Sequence, residues 1–263
     1  MKRVRELRRE GRLVQQLRRR ARLFVRKRLW VLRTRVFGMK ELDLGFGSKL
    51  HVHANDKLEY FIYIADFERS ERDFVRRFFA GRGGTFVDAG ANIGLFTVVA
   101  GEALRGKGTV HAFEPYGETF EHLQANVRLN QLDNVRLNRL ALSAQKERLV
   151  LHAVSDGFNA YNSLAEPMIK GSADTSETVE CTTLDEYCAA NCPEGVDLVK
   201  IDVEGWEEKV IEGGTQVLGS DRAPVLLVEF CDPAAANAGT SCAALRKKIE
   251  GFGYTLYRYD NAT

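Results

Sequence analysis

Five cysteines in 263 residues, with no Cys-x-x-Cys pair, are too few and too scattered for a disulfide framework or a zinc cage. Cys181, Cys188, Cys192, Cys231 and Cys242 are therefore expected as reduced thiols, which points to the cytoplasm. Prolines are equally scarce, five in all, so no proline-rich linker divides the chain. No run of about 18 uncharged apolar residues occurs, which excludes a bilayer-spanning helix. The opening residues hold no charge-free apolar stretch either, so no secretory leader is expected. His51, His53, His111, His122 and His152 show no metal-ligand spacing, and His111 reads as a core residue in mid-strand.

What is present is an ordinary globular composition, 44% hydrophobic and 28% charged, able to bury a sizeable core. The net charge of +2 hides a strong asymmetry. Residues 1–35 carry 15 Lys/Arg against two Glu, which leaves 23 basic and 34 acidic residues for the remainder. The chain is thus an acidic globule with a basic arm over residues 1–37. Val4, Leu7, Val14, Leu17, Ala21, Phe24 and Val25 recur at helical spacings, so the arm is expected to be an amphipathic helix. Its arginines repel one another, and a neutralising surface would favour the helix. An anionic membrane is preferred over RNA, and over a solvated or self-associating helix with no special partner, because Phe24, Leu29, Trp30, Val31 and Phe37 form an apolar, aromatic end. The protein is then expected at the inner face of a membrane.

Residues 38–84 form a connecting region. Alternation at Leu42/Leu44, Leu50/Val52 and Tyr60/Ile62/Ile64 predicts short strands. A helix over 67–80 with Phe74, Val75, Phe78 and Phe79 on one face follows, ended by Gly81-Arg82-Gly83-Gly84. From Thr85 to the end, strands and helices alternate, which predicts a mostly parallel sheet with helices on both faces. The expected strands are 85–88, 109–113, 134–141, 198–202, 225–230 and 254–259. The expected helices begin near Ile93 and run over 117–130, 206–218 and 242–251. Segments 148–154 and 177–182 pair across a polar excursion, and that excursion and the 50–67 segment are expected to shape an acceptor pocket.

The sharpest local signal is Phe86-Val87-Asp88-Ala89-Gly90-Ala91-Asn92-Ile93-Gly94, a strand running into a glycine turn that opens a helix. Gly90 would let backbone approach a ligand, and Gly94 would allow close helix contact. Glu114, in His111-Ala112-Phe113-Glu114-Pro115, ends the next strand, where a carboxylate can hold ribose hydroxyls. The turn lacks the third glycine that seats a pyrophosphate on a helix N-terminus. With Asp88 beside it, the turn suits a phosphate-free nucleoside bearing a sulfonium and an amino group.

A later strand ends Lys200-Ile201-Asp202-Val203-Glu204-Gly205-Trp206-Glu207. Asp202 and Glu204 either cap the next helix or face the reacting centre. The second reading is preferred, since the same sheet edge carries Gly90 and Glu114. A Mg²⁺ held by Asp202, Glu229 and Asp232 is the less favoured alternative, because carboxylates at this edge are common without metal.

The turn, Phe113-Glu114-Pro115, Ala141-Leu142-Ser143, Thr183-Leu184-Asp185 and Lys200 to Glu207 occur in one order over roughly residues 60–258. In that combination the chain resembles the FkbM-type methyltransferases. The resemblance implies a class I methyltransferase (Rossmann-like) α/β fold that uses S-adenosyl-L-methionine. It further implies O-methylation of a hydroxyl on a sugar, glycan or polyketide. Carried over by position, Asp88, Ala89, Gly90, Asn92 and Gly94 would line the methionine side of the donor. Glu114 with Pro115 would hold the ribose, Ala141 and Leu142 would flank the adenine, and Asp202 and Glu204 would stand at the reacting end. Sheets of this class usually add a last antiparallel strand beyond the one matched by Tyr254–Tyr259; here either that strand is missing or another segment fills its place. RNA methylation is the runner-up, weakened by Asp-Val-Glu-Gly where base-nitrogen enzymes carry Asn/Asp-Pro-Pro-Tyr/Phe. A catalytically inactive binding protein on the same fold is the other alternative.

Overall fold

The computed structural model describes residues 21, 23–36, 38, 40–52, 57–65, 67–154, 164 and 173–258. They fall into two compact units, one of Met1–Leu42 with Val52–Arg69 and one of Asp43–His51 with Ser70–Thr263. Most of the basic arm, residues 1–20, 22 and 37, lies outside the described residues, Phe37 of its expected aromatic end included.

In the smaller unit a helix, α1, covers residues 23–31 and widens into a π-helical stretch at Leu32–Val36. Trp30 is buried, its ring centroid 5.8 Å from Tyr60 and 5.3 Å from Tyr63 of helix α2 (Lys57–Ala65). The Arg26 guanidinium lies 5.6 Å over the Tyr63 ring and donates to the Ile64 carbonyl. Helix α2 corrects the strand expected from Tyr60, Ile62 and Ile64. The run Leu58–Ile64 is almost wholly apolar, and a continuous apolar run does not distinguish period 2 from period 3.6.

The larger unit contains most of the hairpin of strands β1 (Glu41–Gly45) and β2 (Ser48–His51), then helix α3 (Arg69–Phe79). Its centre is an all-parallel five-stranded sheet in the order β10-β9-β3-β4-β5. These strands are β3 (Gly84–Ala89), β4 (Gly108–Phe113), β5 (Val135–Asn138), β9 (Leu198–Ile201) and β10 (Val225–Val228). Helices α4 (Leu95–Ala103) and α5 (Gly117–Leu129) carry the chain from β3 out to β5. Strand order then reverses, and helices α6 (Leu184–Asn191), α7 (Glu207–Glu212) and α8 (Thr215–Leu218) accompany the other half. Right-handed crossovers that run from β3 through β4 to β5 in one direction and from β9 to β10 in the other place their helices on opposite faces of the sheet. The switch between β4 and β9, on either side of β3, opens a crevice at the carboxyl ends of the strands, where ligands bind in such sheets.

A second, three-stranded sheet has the order β6-β8-β7, with β6 (Ala141–Leu142), β7 (Arg148–Val154) and β8 (Ala173–Thr182). Strand β8 starts four residues before the expected Glu177, so the polar excursion is shorter than its sequence suggested; most of it lies outside the described residues. The signal Thr183-Leu184-Asp185 resolves as helix-end chemistry. The Thr183 hydroxyl accepts the Glu186 N–H at 3.0 Å, and the Asp185 carboxylate accepts the Gln216 and Val217 N–H groups, each at 2.9 Å.

Three further elements differ from expectation. The helix expected over 206–218 is split at Gly213-Gly214, where the chain packs against the Ser143 carbonyl. A short helix, α9 (Asp232–Asn237), fills a stretch with no strong period before α10 (Cys242–Gly251). The strand expected from Tyr254 forms no ladder among the described residues. Instead the Tyr254 hydroxyl donates to the Pro224 carbonyl at 2.9 Å, and Phe252, Tyr254 and Leu256 pack on the main core while Tyr257 is exposed. Alternation there reports one-sided burial without strand pairing.

Candidate active site

The loop after β3 is the first component. Gly90 and Ala91 donate to the Phe113 carbonyl at 3.1 and 2.9 Å, which stitches the turn to the end of β4. Gly90 has φ 76°, and a Cβ there would stand 1.8 Å from the Asp202 carbonyl oxygen. The glycine is therefore demanded by the neighbouring backbone after β9, a different reason from the ligand approach expected of it. Gly94 does allow close helix contact: a Cβ would meet Leu123 of α5 at 2.7 Å. Asn92, between them, adopts φ 50° and accepts the Ile93 N–H with its own side chain.

Glu114 follows β4 directly, and its carboxylate grips this loop. One oxygen accepts the Asn92 N–H and the other the Tyr116 N–H, each at 3.0 Å. Burial pushes its pKa up to about 7 against the pull of those two bonds. A carboxylate offers about four lone-pair positions, so two remain for the hydroxyls of a ribose. Gly90 and Glu114 thus share one edge and one hydrogen-bonded loop, as the sequence led us to expect. Pro115, half-buried, leads out of that loop.

Asp88 lies at the floor, fully buried. The Thr97 hydroxyl donates to it at 2.6 Å, and the Lys200 ammonium stands 3.7 Å away. Desolvation raises its pKa, opposed first by Lys200 and then by the Thr97 bond. Asp88 therefore supports the turn from within, as does buried Ala89, whose carbonyl accepts the Asp202 N–H at 3.2 Å.

Lys200 is the residue that sequence reasoning passed over. Its ammonium reaches Asp202 at 3.1 Å, donates to the Gly90 carbonyl at 3.3 Å and sits 5.0 Å from the Phe96 ring centroid. The available signal was a single cation inside Leu198-Val199-Lys200-Ile201, a strand otherwise apolar and buried throughout. A lysine is placed there only when carboxylates meet it.

The strand-end acids form the third component. Asp202, Glu204 and Glu229 each bring a carboxylate oxygen within 4.8 Å of the others. Asp232, expected among them, instead begins α9, and Glu204 takes its place. Neither Asp202 nor Glu204 caps the next helix, whose N-cap is Trp206 with no side-chain bond. Glu207, its first residue, reaches back instead, and its carboxylate accepts the Val203 and Gly205 N–H groups of the loop at 3.0 and 3.1 Å. Glu204 has φ 53°, a left-handed conformation unfavourable for a residue with a Cβ, and such strain gathers at functional sites. Burial, then repulsion from Asp202, Glu229 and Glu207, raises the Glu204 pKa to about 9. Glu229 is raised to about 8 by desolvation and by Asp202; much of its surface reaches solvent, so screening tempers this shift more than that of Glu204.

Ala141 and Leu142 are both buried in β6. Ala141 packs with Leu151, Val179 and Cys181, and Leu142 joins the main core, so only their backbone remains for a ligand to meet. His111 is the core residue expected, its Nδ1 2.9 Å from the Tyr187 hydroxyl.

A buried carboxylate at the nucleoside edge, a loop closed on β4 and a cluster of acids two strands away fit a cationic, phosphate-free nucleoside. The comparisons with known proteins agree. The methyltransferase FkbM domain matches residues 88–256. Methyltransferase 1 of Beauveria bassiana is 29% identical over 190 residues, covering 66% of this chain and 74% of that protein. The 31-O-demethyl-FK506 methyltransferase FkbM of Streptomyces tacrolimicus is 30% identical over 188 residues, 61% of this chain and 70% of its own. The 2-O-methyltransferase NoeI of Sinorhizobium fredii is 30% identical over 140 residues, 49% of this chain and 56% of its own. The chain belongs to the FkbM methyltransferase family and is an S-adenosylmethionine-dependent methyltransferase.

Proposed function

We propose that the enzyme methylates a hydroxyl oxygen of a sugar, glycan or related small molecule, with Glu204 as proton acceptor and Asp202 beside it. The observation that carries this reading is the convergence of Asp202, Glu204 and Glu229 at the edge that also holds Gly90 and Glu114, with Glu204 held at φ 53° and its proton affinity raised by burial. S-adenosylmethionine supplies an activated methyl group on a sulfonium, so the protein's tasks are alignment and removal of the hydroxyl proton. A carboxylate that ionises near 9 is a stronger base than an ordinary one, and hence better matched to an alcohol. Lys200 fixes Asp202 at the lip of the Gly90 loop, while Glu207 secures the backbone that carries Glu204. Glu114 and the Gly90–Gly94 turn would hold the donor's ribose and methionine ends. The relatives named for O-methylation support oxygen as the acceptor atom.

We read the reaction as metal-free. The Lys200 ammonium, 3.1 Å from Asp202, already supplies a positive charge that a divalent ion would otherwise bring to these acids. Turnover that survives EDTA is the expected result; a loss restored by Mg²⁺ would give Asp202, Glu204 and Glu229 to a metal instead.

The test is incubation with labelled S-adenosylmethionine and a panel of sugars, glycans and RNA, read by mass spectrometry. A gain of about 14 daltons on a hydroxyl is expected, with turnover rising toward pH 9 as Glu204 ionises. Glu204→Gln and Asp202→Asn should each lower turnover more than donor affinity. Label in RNA alone, or a Glu204→Gln enzyme with normal turnover, overturns the assignment.

A further inference from the structure

The helix that buries Trp30 presents a second apolar side that the fold of its unit leaves exposed. Trp30 and Thr34, four residues apart, mark the buried side. Val25, Leu29, Leu32 and Val36 follow one another at spacings of four, three and four, which aligns them in a stripe on another side. All four are exposed, Val36 by 66% and Val25 by 53%, and Phe24 and Val31 are exposed beside them. Exposed Arg28 and Arg35, seven residues apart, run along the same side, with the Arg28 guanidinium 5.4 Å from the Phe24 ring centroid. Residues 23–36 contain five Lys/Arg and no acid, and the sequence before them is as basic.

We infer that this side of the helix lies on an anionic lipid bilayer, aliphatic residues entering the acyl boundary while the arginines meet headgroup phosphates. The pattern separates the candidate partners. A second copy would bring like charges together along the seam, and a nucleic acid would neutralise the arginines yet leave the aliphatic stripe in water. A bilayer with acidic headgroups answers both features at once.

The experiment is flotation of the full chain with vesicles of phosphatidylcholine and phosphatidylglycerol in equal parts, against phosphatidylcholine alone. Binding to the anionic vesicles, weakened by salt, is expected. Arg28→Gln/Arg35→Gln should weaken it about thirtyfold. Leu29→Ser/Leu32→Ser/Val36→Ser keeps every charge and should weaken it roughly tenfold or more. Both variants should retain donor binding and melting temperature, since these positions are exposed and lie outside the site. Retained binding by the serine variant, equal binding to neutral vesicles, or none to either overturns the inference. So does RNA binding without vesicle binding, or self-association that the serine variant abolishes while vesicles are ignored.

Discussion

Replacing Lys200 with methionine tests whether one buried cation holds the catalytic edge together. Its ammonium lies 3.7 Å from a fully buried Asp88 and 3.1 Å from Asp202. Removing one partner of a buried pair costs about 3–5 kcal/mol, because the other charge is left in a poorly solvated site. Asp88 retains the Thr97 hydroxyl and can take up a proton, its pKa being already raised, so the lower end of that range applies: about 3 kcal/mol. For a unit of this size each kcal/mol moves the melting point by about 2–4 °C, which predicts a fall of about 6–12 °C in calorimetric or circular-dichroism melts. The double variant Lys200→Met/Asp88→Asn removes the stranded charge and should recover at least half of the loss. A single variant within about 1 kcal/mol of the parent, or a double variant whose losses simply add, refutes the reasoning.

Stability should also depend on pH in a defined direction. Glu204 ionises near 4.5 without its folded surroundings and near 9 within them, so the folded state holds the proton more tightly. That stabilisation is complete below pH 4.5 and is lost as pH rises toward 9, with Glu114 and Glu229 acting in the same sense. Melting temperature without donor should fall across this window, and Glu204→Gln should reduce the stability lost across it by about 1–3 kcal/mol; an unchanged loss removes the cause. Gly90→Ala places a Cβ 1.8 Å from the Asp202 carbonyl, so a loss above about 2 kcal/mol together with weaker donor binding is expected in thermal melts and titration.

The architecture was legible because the sheet is buried on both faces and its strands are punctuated by glycine turns. Strand β4 and helices α5 and α10 fall within a residue or so of their expected bounds. The gathering of Gly90, Glu114, Asp202 and Glu204 at one edge follows from parallel strands, which bring all carboxyl ends to the same side. Less was readable where side chains meet across the sequence. Lys200 and Asp88 stand 112 positions apart, and no local spacing announces their pairing. Glu207, not Asp202 or Glu204, holds the loop that leads into α7, since the choice depends on where the chain turns after β9. Helix α2 was missed because an unbroken apolar run carries no period, and the Tyr254 segment because alternation needs an adjacent strand edge to become a ladder.

The most direct measurement is calorimetric titration of the full chain and of Glu114→Ala with S-adenosylmethionine. Saturable one-to-one binding is predicted for the parent, weakened about tenfold or more in the variant, because a carboxylate hydrogen bond is worth about 1.5–3 kcal/mol. A parent protein that binds no donor, or a variant that binds as the parent does, contradicts the placement of the nucleoside at this edge.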